Sequence, residues 1–266
     1  MPQLRKWYFA LNDAGFRRVR PQWRVAVASA RANTALRPIC LYNGTEAAHI
    51  DELTRAGVEV VRHTSSVEPA LRKGYGDKYD VFSGHWLRID IPLIETEDDV
   101  VLYTDIDVMF LRQPRVRWRP RYLAAAPERY RLRLRHFNSG VLVMNVPALR
   151  RVHDAFRAAI AARFETDYQP RGQDQISYNA FFRHKRGFLD HAMNWKPYWG
   201  VNPRARIVHF HGPKPKDVRR IVRDPHGAPS KPYVDLWRLN PAAYAHYAGL
   251  FDAYLAQSRR QVDGAA

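Results

Sequence analysis

The run WYFALNDAG at residues 7–15 decides the fold class, because an apolar stretch passes directly into a polar turn. Such a stretch is typical of a buried strand. Residues 39–42 and 58–61 predict two further strands, and residues 23–31 and 46–56 predict the helices between them. This β-α-β-α-β alternation predicts an α/β fold with a Rossmann-like, mostly parallel central sheet flanked by helices.

The rest of the chain continues the same pattern and shows no internal repeat or linker. Further strands are predicted over 100–103, 122–126, 140–144 and 207–210, helices over 84–91, 148–164, 173–182 and 241–258, and a Pro-rich basic loop over 212–232. Asn240 is the expected N-cap of the last helix. We expect residues 1–232 to form the main domain, and residues 233–266 to form a helical extension packed on it as one compact unit.

Charge and composition limit the possible functions. The 266 residues include 43 Lys and Arg against 26 Asp and Glu, so the net charge is +17 with His neutral. A charge of this sign favours a nucleic acid, an anionic membrane surface or an acidic ligand as partner. A hydrophobic content of 46% with 12% aromatics excludes a disordered basic tail. Cys40 is the only cysteine, which excludes an intramolecular disulfide and a cysteine-based zinc site.

Two carboxylates, Asp105 and Asp107, follow the apolar strand predicted at residues 100–103. Ligands bind at the carboxyl ends of strands in open α/β sheets. Carboxylate oxygens suit Mg²⁺ or Mn²⁺, and such an ion can hold a diphosphate. The alternative is that the pair merely ends the strand and caps the next turn.

A second group of chemically versatile residues follows the last predicted strand. His209 and His211 stand two residues apart, and Gly212 and Lys214 come next. Imidazole is a common ligand for Mn²⁺-type metals, and an ammonium group binds phosphate. The alternative is that one histidine faces the core and that the loop is ordinary surface.

Polar residues also interrupt otherwise buried segments. Asn138 and Asn145 flank the most apolar strand, and buried amides need hydrogen-bond partners. Asp174 and Gln175 begin a predicted helix, where Asp174 is either a simple helix-start residue or, with Gln175, a polar pair aimed into a cleft.

The order of these motifs resembles that of the family 8 glycosyltransferases, enzymes of the GT-A fold such as lipopolysaccharide galactosyl- and glucosyltransferases and glycogenin. The resemblance covers roughly residues 5–216. The matching segments are residues 10–13, 86–88, 105–107, 137–141, Asp174-Gln175 with Asn179, and residues 209–212.

The resemblance implies a metal site, a donor site and a reacting centre. Asp105, Asp107 and His209 would bind Mn²⁺ or Mg²⁺. A UDP-sugar would be bound by Ala10, Asn12, Asp13, Arg88, Asp105, Asn138, Gly212 and Lys214. Gln175 and Asp174 would act at the sugar, and Glu128 would face the sugar or the acceptor.

Two departures from the family pattern lie in the last motif. Pro213 alone separates Gly212 from Lys214, whereas the family has two residues there. His211 stands where the family has a residue that does not bind metal. Two histidines are therefore candidate ligands, and the resemblance favours His209.

The resemblance implies a retaining glycosyltransferase that moves a hexose-type sugar to a hydroxyl of a cell-surface glycan or lipopolysaccharide-type acceptor. An acidic or lipid-linked acceptor would suit the positive charge. One alternative is a Mg²⁺-dependent nucleotide-sugar phosphohydrolase or nucleotidyltransferase, which the single glycine after the first strand, Gly15, disfavours. Another is a nucleic-acid-binding protein, prompted by the charge and by aromatics such as Trp118 and Trp237, but no nucleic-acid-binding module is present. The alternating arginines of residues 130–135 would project from one face of a strand, which is either a solvated face or a surface for an anionic ligand. We therefore expect no nucleic acid partner.

The expected location is the cytoplasm, including the inner face of the membrane. No apolar run approaches the roughly 18–20 residues that span a bilayer. The last predicted helix carries an aromatic stripe, which either packs on the core or rests on an anionic membrane surface. The stripe consists of Tyr244, Tyr247, Leu250, Phe251 and Tyr254.

Overall fold

The computed structural model describes residues 2–128, 136–166, 173–224 and 230–263, and the chain divides into two units. The first unit comprises residues 1–20, 36–105 and 115–189, and the second comprises residues 21–35, 106–114 and 190–266. Each unit has its own hydrophobic core. The boundary expected at residue 232 stays a prediction.

The strands are β1 (Lys6–Asn12), β2 (Arg37–Asn43), β3 (Glu59–Arg62), β4 (Val100–Thr104), β5 (Val108–Phe110), β6 (Leu123–Pro127), β7 (Phe137–Asn145), β8 (Gly187–Phe188) and β9 (Ile207–His209). The α-helices are α1 (Asp13–Arg18), α2 (Arg20–Asn33), α3 (Ala47–Arg55), α4 (Glu68–Tyr75), α5 (Tyr79–Phe82), α6 (Ile91–Ile94), α7 (Val146–Thr166), α8 (Gln173–Phe182), α9 (Pro215–Arg223), α10 (Lys231–Leu239) and α11 (Pro241–Asp263). Short 3-10 helices cover Gly76–Lys78, Ser83–Asp90, His191–Asn194 and Pro197–Trp199.

The first unit contains a seven-stranded sheet in the order β3-β2-β1-β4-β7-β6-β8. The first four strands of this order pair in parallel, as do β6 and β8, whereas β7 is antiparallel to both of its neighbours. Strands β4 and β7 are buried along their whole length, which explains the continuous apolar runs at residues 100–103 and 140–144. The predicted α/β fold with a mostly parallel, helix-flanked sheet is therefore confirmed.

The ends of several strands lie at one edge of this sheet, and polar residues occupy these ends. Because β1 and β4 are parallel, their carboxyl ends meet at the same edge. Because β7 runs the other way, its first residues, 137–139, lie at that edge too. The sheet therefore brings together three segments that lie far apart in the sequence.

A buried carboxylate joins β1 to the chain that leads into β4. Glu95 accepts hydrogen bonds from Lys6 Nζ at 2.8 Å and from the Tyr8 hydroxyl at 2.7 Å, and also from the backbone N–H groups of Glu97 and Asp98. Burial alone raises the pKa of Glu95, but these partners outweigh it and lower that pKa to about 2.

The second unit contains the two-stranded antiparallel sheet of β5 and β9. Its core includes Val208 of β9 and, from α11, Tyr247 and Phe251. The aromatic stripe predicted on the last helix is thus buried in large part, with Tyr244, Tyr247 and Phe251 at most 3% exposed. No described helix has the length and apolar character that crossing a bilayer requires.

Two sequence predictions differ from the structure. Residues 84–91 form mainly a 3-10 helix, Ser83–Asp90, where an ordinary helix was expected. The loop expected over 212–232 contains α9, because Pro215 occupies the first turn, Asp217 accepts from the backbone N–H of Lys214, and Val218 and Ile221 are buried on one face. The prolines and basic residues of this segment favoured a loop, whereas the spacing of Val218 and Ile221 is that of a helix.

Candidate active site

Arg88 is a wholly buried cation at the polar edge of the large sheet. Its Nη1 atom donates to the Ser139 carbonyl oxygen at 2.9 Å and to Asp105 Oδ1 at 3.3 Å. Its Nη2 atom donates to Ser139 Oγ at 2.9 Å and to Asp174 Oδ2 at 2.5 Å. One guanidinium therefore joins the end of β4, the start of β7 and the first turn of α8.

Two aromatic rings lie close to this guanidinium. The ring centres of Tyr103 and Tyr178 lie 5.1 Å and 5.0 Å from the guanidinium carbon of Arg88, within the range of cation–π attraction. Burial lowers the pKa of Arg88, but the nearby carboxylates of Asp174 and Asp105 outweigh it and raise that pKa above its ordinary value. Arg88 is therefore a fixed positive charge between two carboxylates.

Gln175 lies next to this group with its amide held at both ends. Its Oε1 accepts from Asn138 Nδ2 at 3.1 Å and from the Ser139 backbone N–H at 3.0 Å. Its Nε2 donates to Glu128 Oε1 at 2.8 Å. Since a carboxylate only accepts, the amide nitrogen must face Glu128. The structure thus brings together Asn138, expected at the donor, Gln175, expected at the sugar, and Glu128, expected at the sugar or the acceptor.

Asn179 fixes α8 against the start of β7. Its Oδ1 accepts from the Phe137 N–H and its Nδ2 donates to the Phe137 carbonyl, both at 2.8 Å. A single side chain therefore satisfies both backbone groups of one strand residue. Asn179 thus has a structural task, and its Nδ2 also donates to the Gln175 carbonyl, one helical turn earlier, at 2.9 Å.

The end of β1 carries three of the predicted donor residues. Ala10 is partly buried on the strand. Asn12 caps α1 by accepting from the Gly15 N–H at 2.8 Å, and it donates to Ser83 Oγ at 3.0 Å. Both ends of the Asn12 amide therefore make contacts within the fold.

Asp13, the first residue of α1, is also held by contacts within the fold, in this case with β2 and the turn that follows it. It accepts from the Tyr42 hydroxyl and, at 2.8 Å, from the Thr45 N–H. Burial raises the pKa of Asp13, but these donors outweigh it and the pKa is lowered. A Cβ atom on Gly44 would lie 2.5 Å from the Asp13 carboxylate, so this close approach needs glycine. About a third of the Asp13 side chain stays exposed.

In the second unit, Asp107 lies between a histidine and a lysine. His209 Nε2 lies 3.3 Å from Asp107 Oδ1, and Lys214 Nζ contacts Asp107 Oδ2. Burial raises the pKa of Asp107, but Lys214 and His209 outweigh it and hold that pKa well below its usual range. Lys214 also donates to the Phe210 carbonyl at 2.7 Å. The contact between Lys214 and Asp107 was not predicted.

The two candidate histidines have different partners. His209 Nδ1 lies 3.1 Å from the Oδ1 atom of buried Asn194, an acceptor, so Nδ1 carries the hydrogen and Nε2 faces Asp107. His211 Nδ1 instead lies 3.2 Å from the Tyr198 hydroxyl. The neighbour of His211, Gly212, has a φ of +96°, and a Cβ there would lie 2.5 Å from Leu236, so the turn requires glycine.

Several residues of these groups were missed in the sequence. Ser139, Tyr103 and Tyr178 were given no role of their own in the sequence-based prediction. Asn194 lies in a 3-10 helix that the sequence analysis did not predict. The alternating arginines of residues 130–135 lie outside the described residues.

Comparison with known proteins rests on structure, because no protein-family model matches the chain and no curated protein matches its sequence. The galactosyltransferase LgtC, solved with donor and acceptor sugar analogues, is similar with a TM-score of 0.62 and 18% identity over 95% of both chains. The apo glycosyltransferase GlyE of Streptococcus pneumoniae has a TM-score of 0.58 and 17% identity over 94% of this chain.

The chain has the GT-A glycosyltransferase fold.

A third structure, mouse xyloside xylosyltransferase 1, agrees with a TM-score of 0.52 and 16% identity over 78% of this chain and 97% of its own. The chain spans 63% of the length of GlyE. The expectation of a GT-A fold is therefore confirmed, and the three similar structures are of glycosyltransferases.

Proposed function

We propose that the protein is a metal-dependent retaining glycosyltransferase that moves a hexose-type sugar from a UDP-sugar to a hydroxyl of a glycan or lipopolysaccharide-type acceptor. The observation that carries this proposal is the buried Arg88, which joins Asp105, Ser139 and Asp174 at one edge of the sheet. These residues belong to separate motifs of the sequence. The GT-A fold supports the reaction class.

The donor diphosphate would lie at the end of β4. Asp105, Asp107 and His209 would hold Mn²⁺ or Mg²⁺, because carboxylate oxygens and imidazole nitrogen suit these ions. When bound, the ion would neutralise the negative charge of the leaving UDP. Lys214, which contacts Asp107, would add a second positive charge near the phosphates, and the exposed part of Asp13 at the end of β1 would face the nucleoside.

The sugar would lie against Asn138, Asp174, Gln175 and Glu128. An amide is a poor nucleophile, so Gln175 supports a same-face displacement more than a covalent intermediate. In that step the acceptor oxygen bonds to the anomeric carbon, the bond to the diphosphate breaks, and a diphosphate oxygen takes the hydroxyl proton. One LgtC structure carries glutamate at an active-site glutamine, which supports an active-site place for Gln175.

A donor screen tests the proposal. The purified chain is incubated with Mn²⁺ and a panel of UDP-sugars and other nucleotide sugars, and UDP, free sugar and inorganic phosphate are measured. We expect UDP and free sugar from one UDP-hexose, and loss of this turnover in Asp107→Asn. The control is Asp252→Asn, which changes an exposed carboxylate paired with Arg219.

Two results would contradict the proposal. Equal turnover by Asp107→Asn and the unchanged chain would remove the metal site. Release of inorganic phosphate without transfer to any acceptor would favour a nucleotide-sugar phosphohydrolase.

A further inference from the structure

A cavity of about 420 Å³ lies beside Gln175 within the first unit. Its volume falls in the range of small-molecule sites. The described residues that line it are Glu128, His136, Arg163, Gln175, Ile176, Asn179, Ala180 and Arg183. Gln175 connects this cavity to the group around Arg88, because Ser139 contacts both residues.

The cationic residues of the cavity come from different elements. Arg163 lies in the last turn of α7, and Arg183 follows the end of α8. Both are half-buried, and Glu128 is the one acidic residue among the described lining residues. Two guanidinium groups that line the same cavity suit an anionic ligand group.

Arg183 has a buried hydrogen-bond donor, Nε, that lacks an acceptor among the described residues. A buried donor without a partner costs roughly 1–3 kcal/mol. A phosphate or carboxylate oxygen in the cavity would remove this cost, whereas a sugar hydroxyl would do so more weakly because it is neutral.

Glu128 favours a neutral, hydrogen-bond-donating part of a ligand on its own side of the cavity. It accepts the hydrogen bond from Gln175 Nε2, and as a carboxylate it repels an anion but accepts from a hydroxyl. A ligand that has a hydroxyl near Gln175 and an anionic group near the arginines would satisfy both sides of the cavity.

We propose that this cavity is an acceptor subsite for an anionic sugar, with Arg163 and Arg183 on its phosphate or carboxylate group and Glu128 on a hydroxyl. That the ligand of this cavity is the acceptor rests on the proposed glycosyl transfer. The cavity adjoins Gln175, and Gln175 is proposed to act at the transferred sugar. Part of the net charge of +17 would then serve to attract the acceptor.

Calorimetric binding of three sugars to the full chain tests the proposal without any donor. The probes are glucose 6-phosphate, glucuronic acid and methyl β-glucoside, which share a hexose skeleton and differ in charge. We expect at least one anionic sugar to bind about tenfold or more tightly than the neutral one, equivalent to ~1.4 kcal/mol. Preference for the phosphate or for the carboxylate identifies the acceptor class.

Variants connect the preference to the cavity. The double substitution Arg163→Gln with Arg183→Gln should remove the preference, while Arg157→Gln should keep it, because Arg157 is an exposed residue of the same helix that pairs with Asp154. Melting temperatures of all three proteins check that they fold. Equal affinity for the three sugars, including no binding of any, overturns the proposal, as does a preference that persists in the double variant.

The donor screen and this binding test fail independently. Anion preference without turnover of any nucleotide sugar would keep the anion site but remove glycosyl transfer and with it the acceptor role. Turnover of a UDP-hexose without anion preference would overturn the cavity proposal alone.

Discussion

Arg88 donates a hydrogen bond to Asp174 across 2.5 Å, although the two residues are 86 positions apart. The cation is wholly buried, whereas the Asp174 side chain is 18% exposed. The first residues of α8 are therefore oriented by the fold, and Asp174 needs no ligand to hold its carboxylate.

Loss of the Arg88 charge should destabilise the protein strongly. Arg88→Met leaves Asp105 and Asp174 without their shared cation, and breaking a buried ion pair on one side typically costs about 3–5 kcal/mol. Arg88→Lys keeps the charge, but the three donors of one ammonium cannot replace the four hydrogen bonds that Nη1 and Nη2 make, so UDP-sugar turnover should fall even where the chain folds. Urea unfolding and donor turnover measure the two effects.

The exposed Arg157 gives the matched control, since Arg157→Met should change neither quantity appreciably. Full turnover by Arg88→Lys would show that charge alone, without the paired geometry, is enough.

Exchange of the Gln175 amide should create a pH-dependent enzyme. Gln175→Glu places a carboxylate against Glu128, where Nε2 now lies 2.8 Å from Oε1, and repulsion raises the pKa of one of the two. Turnover should be low near neutral pH and rise as the pH falls, because a bound proton restores a donor between the residues. Turnover of the UDP-hexose from about pH 8 to about pH 5 records this.

The swapped variant, Gln175→Glu with Glu128→Gln, again pairs one carboxylate with one amide and should lose this acid dependence. A flat profile for Gln175→Glu alone would mean that the two side chains do not face each other in the working enzyme.

Metal binding should distinguish the two histidines. His209→Ala should abolish Mn²⁺ binding, and Asn194→Ala should weaken it about 10–100-fold, because Asn194 fixes which ring nitrogen faces Asp107. His211→Ala should leave the affinity unchanged, since His211 pairs with Tyr198. Titration calorimetry of each full chain with Mn²⁺ gives these affinities, and an equal loss in His211→Ala would contradict the assignment.

The buried Glu95 should make stability sensitive to acid. Its pKa in the folded chain is about 2, against an ordinary 4.5, so its stabilising effect is complete above the unfolded-state pKa and is lost as the pH falls from about 4.5 to about 2. This shift corresponds to ~3 kcal/mol. Urea unfolding of Glu95→Gln at several pH values should show lower stability at neutral pH and a smaller loss in acid.

Glu97→Gln is the control for this effect, because Glu97 is 63% exposed and bonds the same Lys6. It should keep most of the acid dependence of the unchanged chain. An acid dependence in Glu95→Gln equal to that of the unchanged chain would place its origin in other carboxylates.

The sequence predicts the strands well where both faces are buried. Residues 100–103 of β4 and 140–144 of β7 are continuous apolar runs, and Asn240 caps α11 as expected. The order of motifs also predicted that Arg88, Asp105, Asn138 and Asp174 belong together. The partner of each side chain could not be predicted, since the contacts of Arg88 depend on how three distant segments meet.

The division into two units is likewise hidden in the sequence. The first unit is built from three separate segments, and no linker-like composition marks the points near residues 20, 36, 105, 115 and 189 where the chain crosses. The points at which the chain passes from one unit to the other depend on which apolar faces pack together. The identity of an apolar residue does not show which residues it packs against.

The two hydrogen bonds between the Asn179 side chain and the Phe137 backbone fix the position of helix α8 along strand β7. The side-chain amide imitates the backbone of a paired strand residue, so α8 has one register relative to β7. A slip of one residue would move Gln175 by about 1.5 Å along the helix axis and about 100° around it. Contacts of the helix itself thus fix the positions of Asp174 and Gln175, so the chain ahead of α8 can change in length or sequence without moving these two side chains.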